Sequence, residues 1–221
     1  EMAMPQDPAM QDEALPSPEQ GQPEPADPEP VPADQGSDTG SSMGSGGTGG
    51  DAAQSGISQV PATSHCNSVA DWDPTWTQYE DEVLVHVNDA RATGYNCDSE
   101  GRFGATTPLK MDPALRCAAR LHSRYMGETG DFNHVTRTGS DPFDRVEEAG
   151  YRFWTAGENI AYGSPTPSDV VDGWLDSDGH CRNIMAPDFE DIGVGYFPVI
   201  EDNRWGSREA PYWTQAFGSA R

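Results

Sequence analysis

Three side chains in the second half of the chain carry groups that can move a proton or hold a metal. They are His134 in Phe132-Asn133-His134, Glu158 in Gly157-Glu158-Asn159-Ile160-Ala161, and His180 after Gly179. Neutral imidazole binds Zn²⁺ at about 2.0–2.1 Å, and three protein ligands leave a position open for water. A desolvated glutamate beside an imidazole can instead exchange protons, because burial raises its pKa. The set spreads over 47 residues and matches no local metal signature, so spacing alone does not choose between these chemistries. Cys181 adjoins His180, but neighbours on a helix point about 100° apart, which favours a disulfide over a Cys–His nucleophile. None of Ser164, Ser168 and Ser177 lies in a Gly-x-Ser-x-Gly elbow. The glycine run at 44–50 lacks the lysine and the strand–helix context of a phosphate loop.

The elements that must position these groups follow from periodicity and caps. Val83, Leu84, Val87 and Ala90 recur at helical spacing, so a helix is expected over about Thr77–Ala92, started near Asp73-Pro74 and stopped by Gly94. His86 falls off that stripe and reads as solvated. Residues 95–110 read as a loop. Asp112-Pro113 starts a second helix, to about Met126, with Leu115, Ala118, Ala119, His122 and Met126 on one face. His122 therefore reads as a core imidazole bonded to backbone.

Asp141-Pro142 opens a short helix ending at Gly150. Trp154–Tyr162, which carries Glu158, reads as a strand end or loop. Thr166-Pro167 opens a helix with Val170, Val171, Trp174 and Leu175 inward, ended by Gly179, and His180–Met185 reads as a helical turn closed by Pro187. Residues 192–197 and 212–217 read as a long hairpin around a polar loop, with Gly193 and Gly195 allowing a helix to approach closely. The sum is an α+β fold, helices flanking a small antiparallel sheet, with the three chemical groups around one cleft.

Composition divides the chain. Residues 1–64 hold 11 acidic residues, no Lys or Arg and no aromatic residue, and read as a disordered Pro/Gly/Ser-rich linker or stalk. Residues 65–221 hold every aromatic and all four cysteines and are long enough for one domain. The formal charge of −24 disfavours nucleic acid and anionic lipid surfaces, which need clusters of Lys and Arg. No run of 18 apolar residues is present, so no transmembrane segment is expected. An even number of cysteines fits an oxidising compartment, so the expected location is extracellular or cell envelope, after removal of any signal peptide.

Six motifs occur in one order: Phe132-Asn133-His134, Gly157-Glu158-Asn159-Ile160-Ala161, Val171-Asp172-Gly173-Trp174, Gly179-His180-Cys181-Arg182-Asn183-Ile184-Met185, Gly193-Val194-Gly195-Tyr196 and Tyr212-Trp213-Thr214-Gln215. That order resembles the bacterial branch of the CAP superfamily (cysteine-rich secretory proteins, antigen 5 and pathogenesis-related protein 1; the SCP-like domain), over roughly Glu80–Gly218. The resemblance implies an α–β–α three-layer sandwich and a secreted or envelope protein. It also implies a cleft tetrad of two His and two acids, three of whose places fall to His134, Glu158 and His180. The fourth acid's position is Ser177 here, flanked by Asp176 and Asp178, and Asn159 adjoins the cleft.

In several relatives the two imidazoles hold a divalent cation, often zinc, which makes His134 and His180 the metal candidates, with no cofactor otherwise required. The resemblance pairs Cys97 with Cys181, leaving Cys66 with Cys117. Members that bind sterols and fatty acids or block receptors imply a monomeric, non-enzymatic binding module for a lipid, sterol or protein ligand. A metal-assisted hydrolase using Glu158 with His134 and His180 is the alternative.

Overall fold

A computed structural model describes residues 59–203 and 206–221. Residues 1–58 of the expected linker lie outside the described residues. Residues 59–64 do not: Val60 is buried in the same core cluster as Leu115 and Ala216.

The first helix, α1 (Pro74–Thr93), starts where the sequence says it must. Asp73 accepts hydrogen bonds from the Thr75 and Trp76 amides, Pro74 takes the first helical position, and Gly94 ends the helix at φ 76°. The following stretch is not a plain loop. It forms a small ribbon, β1 (Tyr95–Asn96) with β2 (Arg102–Phe103), then β3 (Lys110–Met111). Asp112 caps α2 (Pro113–Thr129), and Asp141 closes a capping box on α3 (Pro142–Glu148).

The Glu158 segment is a full ten-residue strand, β4 (Phe153–Tyr162), rather than a strand end or loop. Next come α4 (Pro167–Leu175) and α5 (Asp178–Met185). The break between them falls at Asp176 and Ser177, so Gly179 lies inside α5 instead of ending α4. A small residue is not needed as a stop here, because α5 begins again directly after the break. The last part holds β5 (Asp191–Phe197), β6 (Ile200–Asn203), β7 (Gly206–Glu209) and β8 (Tyr212–Ala220). β5 and β8 pair antiparallel as expected, and the polar connection between them folds into its own β6–β7 hairpin.

The main sheet has the order β3-β5-β8-β4. It is not purely antiparallel, since β3 runs parallel to β5. Cross-strand register sorts its side chains by face, because partners on neighbouring strands point the same way. Glu158, Ala216 and Gly193 form one row, and Ile160, Thr214 and Gly195 another on the same face. A Cβ on Gly193 would sit 2.0 Å from the Leu115 backbone, and one on Gly195 2.3 Å from that of Ala119, so α2 lies directly on this face. The Ser123 hydroxyl on α2 donates to the Gly195 carbonyl at 2.9 Å and pairs with Thr214 Oγ1 at 2.8 Å. The alternate rows turn the other way: Tyr196 and Trp213 meet the Tyr79 ring of α1, and Gly157 and Asn159 meet Asn183 of α5. Helices α2 and α3 thus cover one face and α1, α4 and α5 the other, the α–β–α arrangement.

Two bridges tie the layers to the surface segments. Cys66–Cys117 joins the N-terminal segment to α2, and Cys97–Cys181 joins the ribbon to α5. Buried charge completes the frame. Arg120 (α2) and Glu80 (α1) are both fully buried and meet at 2.6 Å. Burial raises the Glu80 carboxyl, opposed by Arg120 and Arg116. Arg91 is buried, and among the described residues its partners are all carbonyls: Thr107, Ile184, Ala186 and Phe189. It therefore fastens the C-terminal end of α5 to α1, where the last helical carbonyls have no partner within the helix.

Candidate functional site

Glu158 is the centre. Strand β4 turns its side chain under α2 and α3, where it is almost fully buried. Such a carboxylate must be paired, and three residues approach it. His134 places Nδ1 2.8 Å from Oε1, and Arg145 donates from Nη2 to Oε2 at 2.8 Å. His122 Nε2 stands 3.8 Å from Oε1. Arg145 also donates to the carbonyls of Ser140 and His134, so a single guanidinium fixes the loop that carries His134 and the acid below it. Capping of α3 by Asp141 is what aims Arg145 at this point.

Burial alone pushes Glu158 up, but His122, Arg145 and His134 more than offset it and hold the carboxyl at about 2. His122 is itself pushed down to about 4, chiefly by burial, and so is neutral at pH 7. The balancing charge at neutral pH is therefore Arg145. A carboxylate ion-paired to arginine is a poor proton acceptor, since protonation forfeits the pairing. What it does instead is orient His134. A carboxylate at Nδ1 favours the tautomer with the proton there, which leaves Nε2 as the nitrogen open to another partner. His134 is half-buried and its Nε2 makes no hydrogen bond among the described residues.

The structure brings His134 and Glu158 together and separates Glu158 from Asn159 by the sheet. Asn159 faces α5, donates to the His180 carbonyl at 3.2 Å and to Gln215 Oε1 at 3.0 Å, and accepts from Asn183 at 2.9 Å. His180 is half-buried, with Nδ1 buried and without a hydrogen-bond partner among the described residues. Burial lowers its imidazole to about 4, and His134 adds to that. Strand β4 is the sheet edge, and Asn183 reaches over it to the Glu158 carbonyl. Asp178 is engaged elsewhere, accepting from the Ser99 hydroxyl, and Asp176 is exposed at the end of α4.

Sequence reasoning missed two members of the site. His122 is buried as expected and lies beside the Asn133 backbone, and its Nε2 also faces Glu158. The signal available was its place on the inward stripe of α2, four residues from Met126. Arg145 gave no signal beyond being a basic residue inside a short capped helix. As for a cation, His180 keeps a buried Nδ1, and His134 an Nε2, without a hydrogen-bond partner among the described residues. Among the described residues no group of three or more His, Cys, Asp or Glu comes together, so such an ion would take its remaining ligands from water or from what binds there.

Residues 84–217 match the CAP family, described as the cysteine-rich secretory protein family. The chain is 33% identical over 165 residues to the uncharacterized protein YkwD of Bacillus subtilis, covering 74% of this chain and 56% of that one. It is 40% identical over 101 residues to the uncharacterized membrane protein YlbC of the same organism, covering 44% of this chain and 29% of that one. The chain thus spans about half, or less, of the length of these relatives. Among solved structures, an outer surface protein of Borrelia burgdorferi aligns with TM-score 0.49 and 18% identity, covering 65% of this chain and 94% of that one. By the family match over most of its described residues, the chain belongs to the CAP family of cysteine-rich secretory proteins.

Proposed function

We propose that this chain is the non-enzymatic binding domain of an exported CAP protein, whose cleft takes a lipid, sterol or protein ligand beside a divalent cation, zinc foremost, held by His134 Nε2 and His180. The observation that carries this reading is the state of Glu158. It is ion-paired to Arg145, lies at about 2, and orients an imidazole instead of standing free as a base. The carboxylate–imidazole pair is the arrangement that sets a metal-binding tautomer. When bound, a cation would supply a positive anchor for an oxygen of the ligand. An apolar wall adjoins the site: the Phe132 ring, two residues from His134, packs 6.3 Å from that of Tyr212, which meets Tyr162 at 4.6 Å. Two disulfides are in keeping with export.

Calorimetric titration with ZnCl₂ should give one site per chain, lost in both His134→Ala and His180→Ala. Absence of binding to the wild type, or equal binding by both variants, would remove the cation from this reading. Lipid extraction and mass spectrometry of the secreted protein tests the ligand class. Turnover of a peptide library that disappears in Glu158→Gln would replace the binding reading with the hydrolase.

A further inference from the structure

Strand β4 has a strand neighbour on one side, β8, so the peptide groups along its other side need partners of another kind. Helices α4 and α5 supply them. The Trp174 indole N–H on α4 donates to the Ile160 carbonyl at 3.2 Å, and Asn183 on α5 donates from Nδ2 to the Glu158 carbonyl at 3.4 Å.

The same Asn183 nitrogen donates to Asn159 Oδ1 at 2.9 Å. Asn159 is fully buried, and both ends of its amide are engaged. Its nitrogen donates to Gln215 Oε1 at 3.0 Å and to the His180 carbonyl at 3.2 Å, while its oxygen takes Asn183. The two asparagines thus join the β4 edge, β8 and the first turn of α5, where His180 lies. The rest of α5 is held by other means. Arg91 takes the Ile184 and Ala186 carbonyls at its far end, and the Cys97–Cys181 bridge holds its middle. At its start the Ser177 side chain makes no capping bond, and the exposed Ser99 hydroxyl donates to Asp178. The hydrogen bond that reaches this turn from the sheet is the one from Asn159. A carboxamide can donate twice and accept at once; aspartate only accepts, and leucine, of similar size, does neither.

We propose that Asn159 and Asn183 are the positioning residues of His180, so that β4 places both imidazoles of the proposed cation site: Glu158 holds His134 from one face, and the amide pair holds the His180 turn from the other. Successive residues on a strand point to opposite faces, which is how two consecutive positions serve histidines on two different elements. The consequence for a ligand rests on the cation reading above; the placement of His180 does not.

The test is ¹H–¹³C NMR of the histidine rings in the full, metal-free chain at pH 7, with the His180 signals assigned by their loss in His180→Ala. Those signals should shift in Asn159→Leu and in Asn183→Ala, which break the network from either side, so that each can be read without the other. Ser123→Ala is the control for general loosening. It removes buried hydrogen bonds from α2 to Gly195 and Thr214, and should lower the urea midpoint while the His180 signals stay in place. In a ZnCl₂ titration, Asn159→Leu should bind about tenfold more weakly than the wild type, as loss of a supporting contact does. His180 signals that stay in place in the amide variants, signals that move as far in Ser123→Ala, or zinc bound equally by wild type and Asn159→Leu would overturn the assignment. A wild type that binds no zinc, with the His180 signals displaced in the amide variants alone, would remove the cation and uphold the positioning role.

Discussion

Glu158 shows how a residue's chemistry is set by its neighbours. In isolation a buried glutamate invites an acid–base role, and burial does push it up; Arg145 and the two imidazoles reverse the outcome. The same environment fixes the pH response. In the unfolded chain His122 and His180 take up protons near 6.5, whereas in the fold both wait until about pH 4. Glu158 is protonated near 4.5 when unfolded and only at about 2 when folded. In each case the unfolded state binds the proton first, so stability falls on acidification and is fully present above pH 7. The loss runs from about pH 6.5 to 4 for the imidazoles, up to about 3 kcal/mol from His122 and less from half-buried His180, and continues below 4.5 for Glu158. Urea unfolding at pH 7, 5.5 and 4.5 measures it. A midpoint that does not move across this range would refute the assigned burial, and His122→Phe should flatten the slope between pH 6.5 and 4.

Among the elements, the decisive contact is α2 on the sheet. The glycines at 193 and 195 sit on the face that α2 covers, and a Cβ at 195 would come within 2.3–2.5 Å of the Ala119 and Arg120 backbone. Backbone cannot yield as a flexible side chain can. Gly195→Ala should therefore cost about 3 kcal/mol, the upper end of ordinary overpacking. It should also disturb His122, which α2 carries three residues beyond Ala119. Thermal unfolding gives the stability, and the chemical shifts of the His122 ring give the second effect. A neutral substitution would mean that α2 lies farther from β5 than described. The glycine pattern was legible in the sequence because it recurs with period two inside an apolar strand. The full length of β4 was not: its edge position and its pairing with β8 are what keep Phe153–Tyr162 extended.

Across the molecule, the disulfides fasten outlying segments to helices whose burial is decided elsewhere. Cys66–Cys117 closes a separation of 51 residues and Cys97–Cys181 one of 84. In the chain-entropy account each contributes about 4 kcal/mol, with little difference between them because the dependence on loop length is logarithmic. Replacing either pair by alanine should lower the urea-derived stability by comparable amounts. A loss several times larger for one pair would mean that its bridge supports native packing as well as restricting the unfolded chain. Cys97→Ala/Cys181→Ala should in addition weaken the zinc binding proposed at His180, which adjoins Cys181 on α5, while Cys66→Ala/Cys117→Ala should not.

The helix starts at Asp73, Asp112 and Asp141, the close approach at Gly193 and Gly195, and the family, through six ordered motifs, could all be read from the chain unfolded on the page. These are local: a cap, a missing Cβ and a motif are each written within a few residues. That Arg145 and His122 join His134 at Glu158, and that Asn159 faces away from it, emerged from the folded arrangement alone. Those outcomes depend on strand register and on which helix covers which face. Both are set by packing between segments far apart in the chain, and a one-residue change of register would have exchanged the roles of Glu158 and Asn159.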